Sequence, residues 1–213
     1  MNDVEKKLRE EFVQCGRSLY ERGYATGAAG NMSLVLPDNT VITTPTGSCL
    51  GTLDVDELSK VDMSGNLIEG PRATKEVKLH LAVYRQNPDF KAIVHLHSTY
   101  ATAYSCLDSI NVEDAIKPFT PYVVMRMGKV KVVPYHKPGS DSLVADLESI
   151  AKGYKALLLA NHGPVIAGKT LTEALNNAEE LEATCRLFFI LSNSNKSIRY
   201  LSDNEIQELI NHA

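Results

Sequence analysis

The sequence predicts an α/β fold in a single domain spanning residues 1–213, and three observations lead there. Short apolar runs of strand length, such as 92–97 and 156–160, are interspersed with segments whose apolar residues recur every three or four positions. A chain of 213 residues is long enough for one large core and short for two. No repeated, low-complexity or linker-like stretch divides it.

The elements follow in order. Val4, Leu8, Phe12, Cys15 and Leu19 fall at helical spacing, and Gly23 ends the helix. The glycine-rich stretch 26–31 leads into a strand over 32–36. Pro37-Asp38-Asn39 turns the chain and a second strand over 41–44 completes a hairpin. A strand over 60–63 ends in the turn Ser64-Gly65-Asn66. Residues 74–85 then read as a helix with Val77, Leu81 and Tyr84 on one face and Thr74 as its cap. Beyond Asn87-Pro88 come a buried strand over 92–97 and a short helix from Ser98. A strand over 130–134, a helix over 140–152 and a buried strand over 156–160 follow. A long helix over 171–191 has Leu175, Ala178, Leu181, Cys185 and Phe188 on one face, and a last helix starts near Asp203.

Composition narrows the function classes. With 22 basic and 26 acidic residues the formal net charge is -4, without the basic excess that nonspecific nucleic-acid binding needs. No apolar run approaches the roughly 20 residues of a membrane span. The charged start M-N-D-V-E-K-K-L-R-E-E lacks the apolar stretch of a secretory signal, so a cytoplasmic protein is expected. The four cysteines form no C-x-x-C pair, which disfavours both a thiolate metal site and a disulfide framework.

The chemistry-bearing residues are few. Side chains two apart on a strand share a face, so His95 and His97 project from the same side with Leu96 turned away. His162, in Asn161-His162-Gly163-Pro164, sits just past a buried strand, where sites collect. Three neutral imidazoles leave an open position on an ion such as zinc, as Lewis-acid catalysis requires. Alone, an H-x-H is more often a packed or cross-strand pair, and an N-H-G histidine often only caps a turn; together they point to a metal. Glu76 either answers a helix dipole, coordinates the ion, or serves as acid and base beside it. Lys75 is either solvated or a partner for an anionic substrate. Three segments rich in small donors, 30–33, 44–47 and 73–75, suit either turn chemistry or an anion. Neither a P-loop nor a strand-linked G-x-G-x-x-G is present, so nucleotides are not indicated. His80, His136 and His212 have no role that the sequence argues.

The order G-N-x-S, T-P-T-G, T-K-E, H-L-H and N-H-G resembles the class II aldolase and adducin head-domain family over nearly the whole chain. The family includes fuculose-phosphate aldolase and ribulose-phosphate 4-epimerase. The resemblance implies a three-layer α/β/α domain with a central, largely antiparallel sheet, assembled as a homotetramer with active sites at subunit interfaces. It makes His95, His97 and His162 ligands of one Zn2+ per subunit, and Glu76 the catalytic acid or base that also binds zinc. It maps a phosphate pocket to Gly30, Asn31, Thr46, Gly47, Thr74 and Lys75, and a tyrosine proton donor to Tyr122. The aldolases carry Ser-Ser where this chain has Thr74-Lys75. That departure and the chain length are most similar to the branch that converts a 3-oxo-tetronate 4-phosphate to dihydroxyacetone phosphate and carbon dioxide.

The chemistry this implies is coherent. A ketone flanked by a hydroxyl chelates zinc, which stabilises the enediolate left when the adjacent carbon bond breaks. If carbon dioxide leaves the enzyme is a decarboxylase, and if an aldehyde leaves it is an aldolase. Decarboxylation needs no proton removed and asks only that Tyr122 or Glu76 protonate a carbon. The expected partner is a small phosphorylated sugar acid or sugar, not nucleic acid or membrane. The alternatives are a sugar-phosphate aldolase or 4-epimerase and, further off, a noncatalytic adducin-like binding domain.

Overall fold

Strands that are apolar at every position must be covered on both faces, and this decides the architecture. In β5 (Ala92–His95), Ala92 and Val94 enter one core while Ile93 enters another. In β7 (Ala156–Leu159), Ala156 and Leu158 alternate with Leu157 and Leu159 in the same way. The computed structural model describes residues 2–211.

The remaining strands are β1 (Asn31–Val35), β2 (Val41–Thr43), β3 (Ser59–Val61), β4 (Leu67–Glu69), β6 (Val130–Val133) and β8 (Gly163–Gly168). All eight form one sheet in the order β4-β3-β2-β1-β5-β8-β7-β6. Every pairing is antiparallel except β6 with β7. One core packs the sheet against α1 (Asp3–Glu21), α3 (Thr99–Ser105), α4 (Pro121–Arg126) and α6 (Leu171–Ser192). The other packs it against α2 (Val77–Gln86) and α5 (Asp141–Ile150). The outcome is the three-layer α/β/α arrangement with a largely antiparallel sheet. A last helix, α7 (Asp203–Asn211), packs on α4. No helix of the described residues is long and apolar enough to cross a membrane.

Several local expectations change. The buried residues of α1 are Glu5, Arg9, Phe12, Val13, Gly16 and Leu19, whereas Val4 is 60% exposed. Leu8, Phe12, Cys15 and Leu19 of the expected stripe pack in or against the core, and an ion-pair network is buried beside them: Arg9 Nε donates to Glu5 Oε1 at 2.9 Å, and Lys60 Nζ of β3 donates to Glu5 Oε2 at 2.9 Å. Burial by itself pushes the Glu5 carboxyl up, but the bonds and charges of Lys60 and Arg9 outweigh it and hold it below its ordinary value. Thr74 does not cap α2. The helix starts two residues later, Glu76 occupies the cap position, and Thr74 Oγ1 accepts the Glu76 N–H at 3.3 Å. The sequence reading also lacked β4, whose residues are all exposed, α4, and β8, whose Gly-Pro start disguises a central strand.

Candidate metal and anion site

Three elements bring the histidines together. His95 is the last residue of β5 and lies opposite Asn31 of β1 and Val165 of β8. His97 follows just past the strand end. His162 sits in the turn between β7 and β8, where the His162 N–H donates to the Leu159 carbonyl at 3.1 Å and Asn161 adopts a left-handed φ of 55°. Gly163 closes this turn at φ 147°, with its α-carbon so near β5 that a β-carbon would stand 2.4 Å from the Leu96 carbonyl oxygen.

The ring centroids lie 4.8–5.1 Å apart. His162 Nε2 is 3.0 Å from His97 Nε2 and 3.3 Å from His95 Nε2. Glu76 completes the group, its Oε2 3.3 Å from His95 Nε2 and its Oε1 3.6 Å from His162 Nε2. Ligands at the usual zinc distances of about 2.0–2.1 Å in a tetrahedron stand about 3.3 Å apart, close to these separations. The donor set also fits a cation. His95 Nδ1 donates to the Pro164 carbonyl at 2.8 Å, which leaves a lone pair on the inward Nε2. Burial first, and His95 second, push the His162 imidazole down to about 4, and the same two causes lower His97, so both favour the neutral form that a metal needs. Lone pairs cannot satisfy one another, and Glu76 Oε1 is buried with no hydrogen-bond partner. A cation answers both.

The cluster opens on a cleft of about 300 Å³. Gly30, Asn31, Thr46, Gly47, Thr74, Lys75, Glu76, His97 and His162 line it, while His95 is fully buried behind. Backbone pairing brings the small-donor segments together, for the Thr46 N–H donates to the Arg72 carbonyl at 2.9 Å and the Thr74 N–H to the Thr44 carbonyl at 3.0 Å. Clefts of about 520 and 440 Å³ occur elsewhere, but no comparable ligand cluster accompanies them among the described residues.

A family model described as the Class II Aldolase and Adducin N-terminal domain matches residues 10–189. The chain belongs to this family. Among its relatives, the 3-oxo-tetronate 4-phosphate decarboxylase of Pectobacterium atrosepticum is 58% identical over 205 residues, covering 96% of this chain and 93% of the relative. The same-named protein of Haemophilus influenzae is 54% identical with both chains covered completely. The crystal structure of YgbL from Klebsiella pneumoniae superposes with a TM-score of 0.94 at 55% identity, covering 98% of this chain and 100% of that one.

For a class II aldolase family member, the cluster of Glu76, His95, His97 and His162 is a site suited to a metal ion. Two further features were not legible in the sequence. Asn31, read there only as an anion donor, gives its Nδ2–H to Glu76 Oε2 at 2.8 Å and so orients the carboxylate. Ser48 and Pro138 join the cleft wall, though T-P-T-G-S and P-G signal only turns. One expected residue is not brought in: Tyr122 lies on α4, 57% exposed, and lines no part of this cleft. His80 is buried against Ser33 Oγ at 2.7 Å, and His136 bonds Asp146 at 2.7 Å, so both have structural partners. His212 lies outside the described residues.

Proposed function

We propose that this chain is a zinc-dependent carboxy-lyase that converts a 3-oxo-tetronate 4-phosphate to dihydroxyacetone phosphate and carbon dioxide. The observation that carries the reading is the convergence of three imidazoles and one carboxylate at a cleft lined by Gly30, Asn31, Thr46, Gly47, Thr74 and Lys75. The names of full-length relatives more than half identical support the substrate.

His95, His97 and His162, with Glu76 alongside, would hold the zinc, which would supply a Lewis acid for the 3-oxo group. The chain's own groups do the rest. Gly30 and Gly47 line the pocket proposed for the phosphate, Gly47 with open space where a β-carbon would stand, and Thr46 and Thr74 offer hydroxyls to it. Lys75, exposed at the cleft with no carboxylate at ion-pair distance among the described residues, contributes the cation that a doubly acidic substrate demands. When the bond between the carboxylate and C2 breaks, its electron pair remains on the substrate and carbon dioxide departs. A proton is then delivered to C2, from Glu76, which Asn31 holds toward the cleft, or from Tyr122. Tyr122, exposed on its own chain, would serve the cleft of a neighbouring subunit in the homotetramer that the family resemblance implies. Four unpaired thiols support a reducing, cytoplasmic setting.

The test is release of carbon dioxide and dihydroxyacetone phosphate from a 3-oxo-tetronate 4-phosphate, with and without a chelator. Both products are expected, both lost on chelation and restored by zinc. Turnover of a sugar phosphate to an aldehyde, with no carbon dioxide from the acid, would replace decarboxylation by aldol cleavage.

A further inference from the structure

A carboxylate outside the cleft holds the segment that carries two of the histidines. α3 begins two residues after His97, and Ser98 at its cap position makes no side-chain bond to the helix backbone. The first-turn amides therefore need another acceptor. Glu182, on α6, supplies it: the Tyr100 N–H donates to Oε1 at 2.8 Å, the Ala101 N–H to Oε2 at 2.8 Å, and the buried Ser98 hydroxyl to Oε2 at 2.7 Å. One carboxylate thus takes three donors, immediately beyond a metal-binding position.

α3 in turn reaches the second histidine. Thr102 Oγ1 donates to the His162 carbonyl at 3.4 Å, and the Asn161 N–H donates to the Ser105 carbonyl at 3.0 Å. The start of α3 is therefore fixed to the residue after His97, and its body to the turn bearing His162. We propose that Glu182 is a positioning residue for the metal site, setting the spacing of His97 and His162 through α3. This rests on the metal reading of the cluster. Removing Glu182 strands two first-turn amides and frees Ser98, so the ligands are no longer preorganised and the ion must order them on binding.

The experiment uses the full chain stripped with a chelator and titrated with Co2+, whose visible absorption reports tetrahedral coordination independently of turnover. E182A is expected to bind cobalt about tenfold more weakly than the unaltered chain, the scale seen when a metal site's outer partners are removed. E182Q, which keeps one acceptor oxygen, is expected between the two. Tyr104→Phe is the control, since it removes the bond from the hydroxyl of Tyr104, on α3, to the Ala115 carbonyl without touching the cap. It is expected to lower Tm and leave cobalt affinity unchanged. Unaltered cobalt affinity in folded E182A overturns the proposal, as does equal weakening in Tyr104→Phe. Should E182A fail to fold, unaltered affinity in E182Q does the same. An unaltered chain that develops no cobalt spectrum removes the metal reading itself, whereas normal binding there with unchanged Glu182 variants removes only the positioning role.

Discussion

Gly163→Ala tests how tightly the two histidine-bearing segments are pressed together. The new β-carbon would start 2.4 Å from the Leu96 carbonyl oxygen and 3.2 Å from Thr102 Oγ1. Real contacts of this kind stay beyond about 3 Å, so the turn or β5 must retreat by about 0.6 Å or more. The backbone also sits at φ 147°, where a side chain adds strain of roughly 1–3 kcal/mol. For a chain of this size each kcal/mol lowers Tm by about 2–4 °C, so a fall of about 2–12 °C is expected. The displacement acts on His162, which neighbours Gly163 and stands 3.0 Å from His97. A misplacement near 1 Å costs about a hundredfold in rate, and kcat is expected to fall by that order. Differential scanning fluorimetry and steady-state decarboxylation measure the two effects. A Gly163→Ala enzyme with unchanged Tm and kcat would show that the turn yields freely and that the close approach does not set the ligand spacing.

The other predictions concern charge. Glu76→Gln keeps the size of the side chain and the bond to Asn31 but removes the proposed proton-transfer group; kcat is expected to drop about a hundredfold or more with the metal still bound, measured by turnover beside metal analysis. Lys75→Ala is expected to raise KM for the phosphorylated acid about tenfold with a smaller change in kcat, and added salt is expected to narrow the gap, because the charge is exposed. The Glu5 network contributes to acid stability. Lys60 and Arg9 hold Glu5 below its ordinary value, and hydrogen bonds from Thr40 and Lys60 bring Asp38 to about 2. Carboxyls depressed in the folded chain stabilise it above their unfolded values near 4 and lose that contribution as pH falls toward their folded values. Tm is therefore expected to fall steeply from about pH 4 toward 2, and less steeply in Glu5→Gln; parallel curves for the two proteins would contradict this.

Much of the site was legible because its chemistry lies in side-chain type and short spacing. Two histidines two apart, one in a turn and a glutamate before a helix are visible as letters, and the structure gathers all four. What escaped depends on partners far apart in sequence. Nothing local tells that Asn31 bonds Glu76 45 residues away, or that Glu182 caps a helix more than 80 residues earlier. α1 misled for a related reason: apolar periodicity pointed to Val4, but Glu5 and Arg9 are buried because Glu5 pairs with both Arg9 and Lys60. β8 was hidden by its opening Gly-Pro, which reads as a turn when seen without its neighbours β5 and β7. The alternation of apolar residues indicated strands but not their order, and the antiparallel arrangement entered only through the family resemblance.

The pairing of Asn31 with His95 across β1 and β5 ties activity to the way the chain reaches its native state. Successive side chains point to opposite faces, so a slip of one residue between these strands would turn the histidine or the amide that orients Glu76 away from the ion. A refolded population with native-like secondary structure but a shifted register would then be spectroscopically folded and inert. Recovered turnover per mole of protein thus counts correctly registered molecules, and for this enzyme it is a sharper assay of refolding than circular dichroism.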